Sequence, residues 1–182
     1  MKNAYVFLAD GFEEVEAITP IDYLRRAGVS VTVVGVSGRT AVSARKIVVE
    51  CDRALAEVVS GPLPDLAVLP GGAKGSENLA ASTELKGLVG RMLAEKRLVG
   101  AICAAPAVAL GGWGYLTGRK YTCYPGEGDS LPVKPLSARV VTDGNLVTAR
   151  AAGVAEEFAL ELVRVLVGPD EAAKIAQAIL AR

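Results

Sequence analysis

Cys103 lies in the stretch VGAICAAPA, Val99 to Ala107, where an apolar run gives way to small residues. The run reads as a buried strand and Ala104–Gly111 as a helix, which sets the cysteine at a strand-to-helix corner. A residue at such a corner can be strained so that its side chain projects into a cleft. The helix behind it would add free amides and a positive dipole end, both favouring thiolate. Thiols in such settings have pKa values of about 3.5 to 7.5, against about 8.5 unperturbed. The competing reading is a small core residue, because free cysteine is among the most buried types. The residues alone leave both open.

Other groups could serve that sulfur. Gly71 and Gly72 follow LAVLP and suit a turn whose backbone closely approaches another group. The amides of Gly72 and Ala104 could then form an oxyanion pocket, or the pair is a plain turn between a strand and a helix. Acids at Glu13 and Glu14 are accounted for by the dipole of the helix they begin. Glu16 sits deeper, beside an apolar stripe of Val15, Ile18, Ile21 and Leu24. A carboxyl facing a thiolate there would have a raised pKa and could hold or shuttle a proton; the alternative is a solvated helix face. Arg150, at a strand end, suits an anion contact or a structural ion pair. Cys51, after IVVE, reads as strand-end packing, and Cys123 in YTCYPGE as a loop residue.

Composition narrows the chemistry. The 182 residues contain no histidine, which excludes a Ser-His or Cys-His pair within the chain. Three scattered cysteines without C-x-x-C make a poor zinc site, so no metal is expected. An odd cysteine count also argues against a disulfide framework and for a reducing compartment. Lys plus Arg equals Asp plus Glu at 20 each, which gives no footprint for nucleic acid or an acidic membrane. No run of about 18 apolar residues is present, so no membrane span is expected. The opening MKNAYVFLADGFEE has too short an apolar run for a secretory signal, and a cytoplasmic location is expected. DGFEE lacks G-x-G-x-x-G, GGWGYLTG follows a helical segment, and no P-loop occurs. No nucleotide cofactor is expected.

The elements that must position these groups alternate along the chain. Strands are predicted at Ala4–Ala9, Ser30–Val36, Leu66–Leu69, Leu98–Ile102, Arg139–Thr142 and Leu146–Ala149. Several are apolar on both faces, as in parallel strands covered by helices on each side. Helices are predicted at Glu13–Ala27, Thr83–Glu95, Ala104–Gly111, Val154–Val167 and Pro169–Ala181, with Asp10 and Glu13 forming a capping box. Arg39–Glu50 reads as a small hairpin and DGN at 143–145 as a tight turn. The pattern predicts one domain over 1–182, a three-layer α/β sandwich with a mostly parallel, doubly wound sheet. In such folds ligands bind beyond the carboxyl ends of the strands. DGFEEVE (10–16), LPGGAKG (69–75), AICAAP (101–106) and TARAAG (148–153) would converge on that rim.

Taken together, ADGFEEVEAITPIDYLRRAG, DLAVLPGG, AICAAPAVAL, YTCYPG and LVTARAAG resemble the ThiJ/PfpI superfamily in matching order. The resemblance is to the branch of the parkinsonism-associated protein deglycase and its bacterial relatives, and it runs nearly end to end. It implies a flavodoxin-like fold and a homodimer. It matches Cys103 to the family's reactive, oxidation-prone cysteine and Glu16 to the acid sharing a hydrogen bond with it. Gly72 and Ala104 fall where backbone amides face the sulfur, and Cys51 aligns with a cysteine near the dimer interface of some members. Where some members have a histidine, this chain has Tyr124. Cys103 is followed by Ala104 rather than histidine, which speaks against a peptidase.

The leading expectation is therefore a glyoxalase/deglycase-type enzyme acting on small dicarbonyls or their adducts. Cys103 would be the nucleophile, Glu16 the proton carrier, Gly72 and Ala104 the oxyanion donors, and Tyr124 and Arg150 candidate substrate contacts. The rival is an oxidative-stress sensor or redox-regulated chaperone using the same cysteine, because a sulfinate would be held by the same amides. Thiazole or thiamine metabolism is a third reading, resting on the family label alone.

Overall fold

Segments such as LAVL at 66–69 and LVGAI at 98–102 have no polar face, so they are stable only with helices on both sides of a sheet. The computed structural model, which describes residues 1–181, gives them that setting. In chain order the elements are β1 (Asn3–Leu8), α1 (Glu14–Arg26), β2 (Ser30–Gly35), β3 (Thr40–Val42), β4 (Val48–Glu50), β5 (Arg53–Ala54) and α2 (Leu55–Val58). There follow β6 (Leu66–Leu69), α3 (Ala73–Ala81), α4 (Thr83–Ala94), β7 (Leu98–Ile102) and a π-helical segment, Pro106–Gly111. The chain continues through β8 (Val140–Asp143), β9 (Leu146–Ala149), α5 (Ala155–Leu166) and α6 (Pro169–Ala178).

Seven strands form one sheet in the order β5-β2-β1-β6-β7-β9-β8. All neighbours run parallel except β8 and β9, which form the hairpin predicted at DGN. The β3–β4 hairpin stands apart as a second small sheet, with Ala41 opposite Val49. Helices cover both faces of the large sheet, giving the expected flavodoxin-like α/β sandwich. One face packs Leu24 of α1 with Phe158 and Leu162 of α5. The other packs Leu85, Leu88 and Met92 of α4 with Tyr121. Full burial of side chains of this size contributes about 1.5–3 kcal/mol each. From β1 the chain passes first to β2 on one side and later to β6 on the other, so strand order reverses between β1 and β6. That is the ligand-binding position of doubly wound sheets.

Two local expectations need correction, and one element is new. The Asp10–Glu13 capping box does not form. Glu13 is the N-cap without a side-chain capping bond, and Asp10 Oδ1 instead accepts from the Val42 amide at 2.9 Å. The segment after Cys103 is π-helical over its six residues rather than α-helical. Pro106 has no amide to offer the preceding carbonyls, and Gly112 donates five residues back to Ala107 at 3.2 Å. α3, over AKGSENLAA, is an element the sequence reading does not name. Among the described residues no helix is long and apolar enough to cross a membrane.

Candidate active site

Cys103 directly follows β7 with φ of 65°, a left-handed conformation for a residue with a Cβ. That conformation costs roughly 1–2 kcal/mol, and backbone bonds on both sides hold it in place. Its amide donates to Ala149 O at 2.9 Å, and its carbonyl accepts from Tyr124 N at 2.7 Å. The thiol is thereby turned off the strand into a cleft. Cys103 is half-buried, whereas Cys51 and Cys123 are buried, so one sulfur of the three faces the open space. None of the three is in a disulfide.

Glu16 reaches the same point from α1. The first turn of the helix begins just beyond β1, and β1 adjoins β6 at the reversal of strand order. Glu16 is only 1% exposed. Its Oε2 accepts from the Gly71 amide at 2.9 Å, and the carboxyl hydrogen-bonds the Cys103 sulfur. Gly71 has to be glycine here: a Cβ would stand 2.5 Å from Cys103 Cβ and would also strike Glu16 Oε2. Gly72 takes φ of 88° and turns its amide toward the sulfur, as does Ala104. The close-approach reading of Gly71-Gly72 thus describes the turn as it is.

The electrostatics revise one expectation. Burial raises the Glu16 carboxyl from 4.5 to about 7, opposed by hydrogen bonds from Cys103 and Gly71. Burial, and then the Glu16 charge, push the Cys103 thiol up to about 12, while the Gly72 and Ala104 amides pull it down. The thiol was expected to be lowered, partly by a helix dipole. The six-residue π segment supplies little of that dipole, and a buried carboxylate beside sulfur outweighs two amides. The value of about 12 describes removing a proton from sulfur beside an already ionised Glu16. The two groups are therefore one coupled acid whose first proton leaves near neutrality and whose second is retained.

Around the pair lies a cleft of about 1080 Å³, lined by Cys103, Glu16, Gly72, Ala104 and Tyr124. Tyr124 is 48% exposed at its mouth. Arg150 is not brought there: it donates to Ser137 O at 3.2 Å and anchors the segment before β8. Cys51 packs at the end of the β3–β4 hairpin, its amide donating to Arg39 O at 2.7 Å. Cys123 is enclosed, with burial raising its thiol to about 11.

Sequence reasoning missed two parts of the cleft. Glu13, assigned there to the helix dipole, lines its wall, and so does the hairpin loop carrying Ser43, Arg45 and Lys46. Glu14 pins that loop by accepting from Ser43 Oγ and from the Arg45 amide at 2.6 Å. The signal for Glu13 was its place in DGFEEVE, the rim segment expected beyond the carboxyl end of the first strand.

A strained cysteine coupled to a buried glutamate, at the carboxyl edge of a flavodoxin-like sheet, defines a class of cysteine–glutamate α/β proteins. The profile of the DJ-1/PfpI family matches residues 2–165, and the chain belongs to that family. It is 41% identical to protein dj-1beta of Drosophila melanogaster, over 98% of this chain and 97% of the relative. It is 31% identical to the glutathione-independent glyoxalase DJR-1.2 of Caenorhabditis elegans, over 93% of this chain and 91% of that one. The solved structure of oxidized DJ-1 from Toxoplasma gondii superposes with a TM-score of 0.95 at 35% identity, covering 99% of this chain and 98% of that one.

Proposed function

We propose that the protein is a cysteine-dependent enzyme of the glyoxalase/deglycase type acting on small dicarbonyls or their adducts. The observation that carries this reading is the Glu16–Cys103 pair at the floor of an open cleft, with the amides of Gly72 and Ala104 on the sulfur. Near neutrality the pair holds one negative charge. Burial and the Glu16 charge favour the carboxylate as its seat, and the reactive form is the one in which the Glu16 carboxyl keeps the proton and the charge lies on sulfur beside the Gly72 and Ala104 amides.

The thiolate adds to the aldehyde carbon of a 2-oxoaldehyde, forming a C–S bond. The carbonyl oxygen takes the charge beside the Gly72 and Ala104 amides and then the Glu16 proton, giving a hemithioacetal. The Glu16 carboxylate removes the hydrogen on the sulfur-bearing carbon, and an enediol forms. Returning that proton to the neighbouring carbon leaves the thioester of a 2-hydroxy acid, with no net oxidation. Water then cleaves the thioester. Tyr124 supplies a hydrogen bond to the substrate from the mouth of the cleft. The name of the Caenorhabditis elegans relative, a glutathione-independent glyoxalase, supports the assignment.

The test is methylglyoxal turnover. Cys103→Ser should abolish it, and Glu16→Gln should lower kcat by about 10² to 10⁴. Unchanged rates in both variants would remove the mechanism.

A second reading, an oxidative-stress sensor or redox-regulated chaperone, is favoured by one observation: Cys103 is the least buried of three thiols, and amides already point at its sulfur. These groups would also hold a sulfinate. Selective oxidation of Cys103 by graded peroxide, without dicarbonyl turnover, would establish that reading instead. A homodimer in a reducing cytoplasm accompanies either one. Val15 and Ile18 of α1 are exposed beside Ile47 and Val48 of the hairpin that Glu14 ties to that helix. Monomer alone on sedimentation would remove the dimer.

A further inference from the structure

The thioester has to be hydrolysed, and the group best placed to activate water is not the one that made it. Glu16 lies beneath the sulfur, with one oxygen on the Gly71 amide and its carboxyl hydrogen-bonded to Cys103. Water reaches an acylated Cys103 from the open side of the cleft. Of the carboxylates on that side, Asp10 is engaged with the Val42 amide, and Glu127 is exposed at the outer mouth on the loop that follows Tyr124. Glu14 holds Ser43 and the Arg45 amide. Glu13 differs from all three. It is half-buried on the cleft wall, and among the described residues no hydrogen bond or ion pair occupies its carboxylate.

The backbone fixes where Glu13 stands. Its amide donates to Gly71 O at 3.1 Å. A Cβ on Gly72 would lie 2.9 Å from Glu13 N, and a Cβ on Gly71 would lie 2.5 Å from Cys103 Cβ. Glu13, the N-cap of α1, is thus seated against the same turn that presents an amide to the sulfur. The site holds two carboxyls in unlike surroundings, one sealed and one wet, an arrangement that separates proton carriers into different roles.

We infer that Glu13 is the general base that activates water to hydrolyse the Cys103 thioester, a role that rests on the glyoxalase-type reading. Its carboxylate accepts a proton from water as the oxygen attacks the thioester carbonyl. The tetrahedral oxygen is received by the Gly72 and Ala104 amides. The C–S bond breaks, its electrons return to sulfur, and the 2-hydroxy acid leaves. The proton on Glu13 passes to solvent through the cleft. Glu16 handles hydrogen on carbon, and Glu13 handles hydrogen on water.

The experiment mixes wild type, Glu13→Gln and Glu16→Gln with methylglyoxal, then denatures the protein at intervals for intact mass measurement. A thioester survives denaturation and is cleaved by hydroxylamine, whereas a hemithioacetal reverts. Glu13→Gln should accumulate a hydroxylamine-sensitive adduct on Cys103 with the mass of one methylglyoxal, and kcat should fall about a hundredfold. Glu16→Gln should accumulate none, and Glu13→Asp should recover part of the rate with less adduct. Wild-type turnover matched by Glu13→Gln, without trapped thioester, overturns the role of Glu13 and leaves the enzyme reading standing. Slow Glu13→Gln turnover without trapped thioester overturns it too. A wild-type protein that consumes no dicarbonyl overturns both.

Discussion

Glu16 is a carboxyl placed where its charge is expensive. Its pKa rises from 4.5 in the unfolded chain to about 7 in the fold, chiefly through burial. The folded state therefore binds the proton more tightly, and this contribution to stability is complete below pH 4.5 and lost as pH rises through about 7. The span corresponds to about 3 kcal/mol. Glutamine copies the protonated form and cannot ionise, so Glu16→Gln should escape the loss. In denaturant melts at pH 4 and pH 9, wild type should fall relative to the variant by about 3 kcal/mol; parallel curves would show that Glu16 carries no such charge cost. At this scale the sequence revealed Cys103, whose apolar and small-residue neighbours mark a corner. It could not reveal the depth of Glu16, which shares its stretch with two other acids. Only the fold shows that Glu14 grips a hairpin, Glu13 faces the cleft and Glu16 meets sulfur.

The turn between β6 and α3 brings the parts within reach of one another. Gly71 leaves room for Glu16 and Cys103 to meet above it, and the missing Cβ is what allows the contact. Gly71→Ala should force the sulfur and the carboxyl apart. A displacement near 1 Å can cost about a hundredfold in rate, and overpacking adds about 1–3 kcal/mol of destabilisation. Kinetics with thermal melts would check both, and wild-type activity in this variant would show that the contact is dispensable. Elements with a strong pattern were legible: LAVL and LVGAI fall within the strands expected of them. α3 was not, because Gly75 and its small polar neighbours imitate a loop. That glycine answers to tertiary packing, since a Cβ there would lie 2.7 Å from Phe12 Cα. The π segment was equally hidden, because its alanines fit an α-helix as well.

Over the whole molecule, the reversal of strand order between β1 and β6 joins residues far apart in sequence. Four rim segments were predicted to converge, and Glu16, Gly72, Cys103 and Ala152 do line one cleft. Arg150, only two residues before Ala152, turns away to Ser137. Topology fixes which segments meet, and local backbone geometry decides which side chains point inward. The functional account depends on the Glu16–Cys103 pair reaching the form with its single charge on sulfur. Iodoacetamide alkylation of Cys103 as a function of pH reads this directly, with Cys51 and Cys123 buried. If that form is reached, the rate rises with an apparent pKa near 7, the point at which the pair loses its first proton. A rate that stays negligible through neutrality and climbs only toward about 12 would confine the charge to the carboxylate and contradict the proposed nucleophile.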